Sequence, residues 1–352
     1  MKAFILSPTH SPHNKNIYEW NIIIKQIKSI NPDTIIIYSP TECRSKDIFE
    51  YFLSQIEPYL QDYNKLLYIV TPNSHGEYIT DNIVTEMSYG NLVSVWPEFI
   101  NYSYNNTILS KTTWKYIFIN LNNRYAKHRH SLVDKIVGYK LQPFGLISLN
   151  QVNDRYKFLY HNGSKILLDK SYSKNNYKAK LFPENYETCF MDLVSETHAK
   201  PNEYHVTEKT LKPIAHLKPF LVNTCARFHQ THLRDYWGFK LYDEIFDYEF
   251  DDIDDLDLRQ RFLLKNIRRL AKMSSKQLTQ AHQQIFPKML YNKNRATEIL
   301  HDKNKIVPDC MKFLFEPDKH TILGPTSERL YDLMYDMGWT HGQKINIESI
   351  EV

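Results

Sequence analysis

The stretch Ser195–Val222, SETHAKPNEYHVTEKTLKPIAHLKPFLV, decides how the chain is read, because it encloses charged residues between two apolar runs. On its amino side stands Cys189-Phe190-Met191-Asp192-Leu193-Val194, short and mostly apolar; on its carboxyl side stands Pro219-Phe220-Leu221-Val222. Runs of this kind read as buried, parallel strands, and the segment between them as a helix, giving a strand, loop, helix, strand unit. Thr207 is placed to cap that helix ahead of Glu208 and Lys209. The unpaired backbone N–H groups at such an end favour an anion, and a phosphate suits the position. Pro213 falls too deep for a first turn, so the helix bends there or begins later.

Working outward, the first third alternates strands (Ala3–Leu6, Thr34–Tyr38, Leu66–Val70) with helices (Tyr18–Ile30, Lys46–Leu60), the βαβ rhythm of a doubly wound α/β sheet. Leu66–Val70 runs into Thr71-Pro72-Asn73-Ser74-His75-Gly76-Glu77, and loops beyond the carboxyl ends of parallel strands are where such sheets bind ligands. His75, Glu77 and Glu86 are therefore candidate bases, against the plainer reading of solvated polar residues. Val93–Asn106, rich in aromatics and Asn, reads as irregular and as a place for an acceptor.

A second block opens at Trp114, where Lys115–Leu121 reads as a strand leading to a helix that starts near Ser131. Arg124, Lys127, His128, Arg129 and His130 lie between them, either as a phosphate site or as a solvated basic loop. Further on, Phe144–Leu149 and Phe158–Tyr160 read as short strands and Asp169–Lys180 as a polar loop. Thr231–Trp237, Leu256–Lys272 and Ser274–Asn304 read as helical, with Asp254 or Asp255 capping the second of these. The expected division is residues 1–113, 114–305, and a helical tail 306–352 that includes Thr326–Met337 and packs back on the first domain.

With 352 residues, 42% hydrophobic and 14% aromatic, the chain can bury a sizeable core. A net charge of +4 and a pI near 8.6 suit a phosphorylated ligand and are too mild to indicate nucleic acid. No stretch approaches the roughly 20 apolar residues of a membrane span, and the N-terminal apolar run is too short for a signal peptide, so a cytoplasmic, soluble protein is expected. The 4 cysteines are widely separated with no CxxC, which suggests free thiols. Asp252-Ile253-Asp254 has the DxD form that can hold a divalent cation on a sugar nucleotide. Opposition of these acids to a helix dipole is the preferred reading, so no metal site is assigned. The pairs His10/His13, His128/His130 and His198/His205 read as surface residues.

NLNNRYAKHRHSLVDKIV, followed by ETCFMDLVSETHAKPNEYHVTEKTLKPIAHLKPFLV, resembles the donor-binding half of GT-B nucleotide-sugar glycosyltransferases. More narrowly it is similar to α-1,3-fucosyltransferase-like and exostosin-like enzymes of viruses and phages, and GFKLYDEIFDYEFDDIDD resembles the segment that follows in viral members. The resemblance covers Trp114–Arg261. It implies a GT-B-like fold of two Rossmann-like domains facing a cleft, and an inverting transfer from a GDP- or UDP-sugar co-substrate to a glycan or other hydroxyl acceptor, with no further cofactor. Glu208 would accept the ribose hydroxyls and Lys209 would pair with the diphosphate, beside Thr207. Arg129, with Arg124 competing, would clamp that diphosphate, and Glu196 would line the cleft. Leu193-Val194-Ser195-Glu196-Thr197 departs from the C-F-E-N segment of fucosyltransferases, which leaves sugar and base open. The alternatives are a glycosyltransferase acting on DNA bases, and a non-catalytic nucleotide- or sugar-binding protein.

Overall fold

Short β-branched runs build the first sheet. Thr34-Ile35-Ile36-Ile37-Tyr38 is buried along its middle and pairs in parallel on both edges, the environment that favours continuous apolar strands. The computed structural model describes residues 2–6, 17–38, 46–71, 81–87, 96, 114–122, 126–150, 157–161, 164–167, 183–199, 201, 204–302, 309–315, 321–324 and 346–349. The chain divides into two units, Met1–Ser94 with Ile299–Val352, and Val95–Glu298.

In the first unit, β1 (Lys2–Leu6), β2 (Thr34–Tyr38), β3 (Leu66–Thr71) and β4 (Ile83–Met87) follow one another in parallel. Helices α1 (Ile17–Ile30) and α2 (Lys46–Asp62) turn Ile23, Ile24, Ile27, Phe52, Ile56, Tyr59 and Leu60 toward the sheet core, at spacings of three and four residues. On the other side of β1 lie β11 (Thr321–Gly324) and β12 (Asn346–Ser349), both parallel, in the order β12-β11-β1-β2-β3-β4. The tail thus contributes strands where helices alone were expected. The helix expected at Thr326–Met337 lies outside the described residues.

The second unit holds a sheet in the order β10-β9-β5-β6-β7-β8. Strands β5 (Tyr116–Asn122), β6 (Gly145–Asn150), β9 (Cys189–Ser195) and β10 (Phe220–Asn223) are parallel. Strands β7 (Lys157–His161) and β8 (Ser164–Leu167) extend it as antiparallel strands. Around it run α3 (Lys127–Gly138), α4 (Pro183–Thr188), α5 (Glu208–Ala215), α6 (Leu256–Leu270) and α7 (Ser275–His301). A π-helix spans Phe228–Tyr236, in place of the α-helix expected at Thr231–Trp237. The second unit begins before Trp114: buried Trp96 donates its indole N–H to Thr297 Oγ1 of α7 at 3.2 Å. No helix among the described residues is long and apolar enough to cross a membrane.

Candidate functional site

Sheet order locates the ligand-facing edge of the second unit. From β5 the chain passes through α3 to β6 on one side, while β9 and β10 lie on the other, so the order reverses between β5 and β9. In open parallel sheets a crevice forms at that point, beyond the carboxyl ends of the strands. The strand ends bring a layer of buried polar side chains to this edge. Asn120 Nδ2 donates to Leu193 O at 2.5 Å and to Ser195 Oγ at 3.3 Å; Asn122 Nδ2 donates to Asn120 Oδ1 at 2.6 Å and to Ser148 O at 3.0 Å. Gln260 Nε2, from α6, donates to Asn223 Oδ1 at 3.0 Å and to His128 O at 2.7 Å. Such satisfied bonds are worth about 1 kcal/mol each, and far more is lost when one partner is removed.

Glu196, the first residue past β9, connects this layer to α5. Its carboxylate is fully buried and accepts from Thr207 N (3.0 Å), Thr207 Oγ1 (2.6 Å), Thr210 Oγ1 (2.6 Å) and Thr197 N (3.1 Å). Glu196 therefore holds the helix start in place rather than lining an open cleft, which corrects the expectation from sequence. Thr207 is the N-cap: its Oγ1 accepts from Lys209 N at 3.2 Å. The helix runs through Pro213 and stops two residues later, so the proline falls in its last turn.

Glu208 and Lys209 form a partly exposed pair at the helix N-terminus, with side chains 34% and 27% accessible. Lys209 Nζ donates to Glu208 Oε1 at 2.8 Å, Thr207 Oγ1 at 3.1 Å and Thr197 Oγ1 at 3.2 Å, so its ammonium lies across the mouth of α5. Burial pushes the Glu208 carboxyl up, but the adjacent Lys209 charge and hydrogen bond outweigh it and leave the pKa lowered. This is an ionised pair at the positive end of the helix dipole, with a cation that an incoming anion can share.

Arg129 lies in the first turn of α3, which begins at Lys127 and not near Ser131, so this part of the basic stretch is helical. Its side chain is buried, and Nε and Nη2 donate to Glu196 O at 3.3 and 2.9 Å. His128 is buried too, against the expectation of a surface residue, and donates Nε2–H to the same carbonyl at 2.8 Å. Burial, above all, lowers its pKa to about 4, so the ring is neutral near pH 7. His205 is likewise buried. Arg124, His75 and Glu77 lie outside the described residues. Glu86 is on β4 of the first unit, its backbone paired with Val70; that strand is three places from β1, about 14 Å across the sheet.

The acidic run after the π-helix is committed to structure. Asp251 is buried, and its carboxylate accepts from His229 N (3.1 Å), Gln230 N (2.9 Å) and His229 Nδ1 (2.8 Å), capping the π-helix. His229 Nε2 accepts from Val222 N at 3.0 Å, which fixes the proton on Nδ1. Asp254 pairs with Arg227, a left-handed residue with φ of 61°, and Asp255 caps α6 by accepting from Leu258 N at 2.7 Å. Buried Arg259 ties this loop to the strand edge, with Nε and Nη2 donating to Thr224 O at 3.0 and 2.8 Å. No group of three or more His, Cys, Asp or Glu placed for a metal occurs among the described residues. Asp251, His229 and Arg259 were not singled out in the sequence; a buried acid in an acidic run has no composition signal of its own.

The chain is thus a mixed α/β protein whose second unit sets a capped helix N-terminus, with an ion pair across it, at the switch point of a largely parallel sheet. Compared with known families and curated proteins, it matches no family model and no curated protein.

Proposed function

We propose that the protein is a nucleotide-sugar glycosyltransferase of GT-B type that binds a nucleoside diphosphate sugar at the amino end of α5. The observation that carries this reading is the Glu208–Lys209 pair, partly exposed over a helix N-terminus that buried Glu196 fixes at the sheet's switch point. In this reading Lys209 takes the diphosphate and, with the positive end of the α5 dipole, stabilises the charge that builds on it as it leaves. Glu208 accepts the two ribose hydroxyls. Glu196, Thr207 and Arg129 are positioning residues: the first two fix the helix start, and Arg129 holds the carbonyl of Glu196.

Transfer is inverting and metal-independent. The acceptor oxygen attacks the anomeric carbon as the bond from that carbon to the diphosphate oxygen breaks, and a base takes the acceptor's proton. That base is sought among His75, Glu77 and Glu86 of the first unit.

The test is thermal stabilisation by GDP, UDP and their sugars, without metal, on the wild type and on Glu208→Ala and Lys209→Met. Saturation by one nucleotide raises the melting temperature, since ligand at about 100 times Kd stabilises by about 2.7 kcal/mol. Both substitutions remove the shift while leaving the unliganded melting temperature close to wild type. Absence of any shift at millimolar nucleotide would overturn the reading. Donor turnover, unchanged by chelator and lost in one of the three base variants, separates an enzyme from a binding protein.

A further inference from the structure

The outer face of α6 carries charge that the donor reading does not use. Arg261, Lys265, Arg268 and Lys272, the last just past the helix end, are all exposed and recur at intervals of four, three and four residues. That spacing aligns them along one side of the helix over about 16 Å, with neighbours about 4.5 to 6 Å apart. The opposite side of α6, with Arg259, Gln260, Leu263, Leu264 and Ile267, is buried toward the sheet.

Arg261 shares Asp257 with Lys135, at 2.7 and 2.6 Å. Lys265, Arg268 and Lys272 form no ion pair among the described residues: Lys265 lies 3.2 Å over the Phe262 ring and Arg268 lies 3.9 Å over the Tyr139 ring at the end of α3. Lys140, exposed, follows directly. The helix dipole accounts for cations in the last turn of α6, but not for Lys265 one turn earlier. On the other flank Arg269 donates to Ile245 O at 2.7 Å, so the acidic loop of Asp243, Glu244 and Asp247 borders the stripe on that side.

We propose that this stripe is a docking surface for the phosphate backbone of double-stranded nucleic acid. A line of cations spaced by one helix turn complements a regular line of phosphates, and the acidic loop confines the duplex to the side of α3. A bilayer is the poorer fit, because interfacial binding needs an apolar face and Leu258 is the one exposed apolar residue on this side of α6. The inference is independent of the donor site.

The experiment is fluorescence anisotropy of the full chain with a mixed-sequence duplex of about 24 base pairs, titrated from roughly 50 to 200 mM salt. Four phosphate contacts give a slope of log K against log salt of about −3.6. Lys265→Gln/Arg268→Gln/Lys272→Gln should reduce that slope by about 2.7 and weaken binding more than tenfold at low salt. Lys25→Gln/Lys28→Gln/Lys115→Gln removes the same charge from exposed sites elsewhere and should leave the slope close to wild type. Equal losses in both triples, or no duplex binding at low salt, would overturn the proposal. So would tighter binding to phosphatidylserine-containing vesicles than to the duplex, abolished by the stripe substitutions; melting temperatures of both triples confirm that each is folded.

Discussion

Glu196 carries no solvent-facing surface, yet six side-chain and backbone groups of the site depend on it: four donors meet its carboxylate, and Arg129 and His128 meet its carbonyl. Glu196→Ala strands the four carboxylate donors, and the expected cost is about 3 kcal/mol in urea unfolding together with loss of nucleotide stabilisation. Glu196→Gln keeps the volume but turns an amide N–H₂ toward hydroxyl and backbone donors, so it too should fall well below wild type. Glu208 makes a different prediction, read by carboxyl NMR titration. Its folded pKa lies below the ordinary 4.5 because of Lys209, so the stability it contributes is present above that value and is lost as pH falls through the lowered pKa. In Lys209→Met the two largest causes that oppose burial are gone, and the Glu208 titration should move upward from its wild-type position.

At the level of elements, the strands were legible wherever apolar runs were long and bounded. The start of α5 was legible because Thr207 is a good N-cap. Helix α3 was misplaced by a turn because its cap position is Ala126, which makes no side-chain cap bond, so nothing local marks the beginning. The π-helix was misread because its cap, Asp251, comes from more than twenty residues downstream. The sequence places Glu196 at a strand end but does not show its burial, since burial of a carboxylate depends on donors that only tertiary packing assembles. Strands β11 and β12 are too short and too unpatterned to stand out. One glycine gives a sharp test of packing: a Cβ on Gly145, at the start of β6, would meet the Phe118 ring of β5 at less than van der Waals distance. Gly145→Ala is expected to destabilise the second unit by about 1–3 kcal/mol, measured by chemical unfolding.

For the molecule as a whole, acid should be felt first in the second unit. His128, His232 and His282 have pKa values lowered from 6.5 to about 4, 3 and 4, chiefly by burial, so they are neutral in the fold and bind protons readily when unfolded. Their contribution is full above about pH 6.5 and declines as pH falls toward the folded values. Between pH 7 and 5.5 the expected loss is about 1 kcal/mol per histidine, about 3 kcal/mol together, seen as a falling urea midpoint. His282→Phe, among the rings of Trp114, Phe190 and Phe286, should flatten that slope.

The first sheet joins the two ends of the chain, and this orders its biosynthesis. Strand β1 is synthesised long before its parallel neighbour β11, which is not made until Thr321. At the usual pace of translation that interval is on the order of 15–60 s, during which one edge of β1 has no native partner. Residues 95–298 are complete about twenty residues before β11 is made, so the unit encoded second is the first with all its parts. The first sheet is therefore completed only after the last residue of the second unit has been made, and the β1 edge that β11 covers stays without its native partner until then.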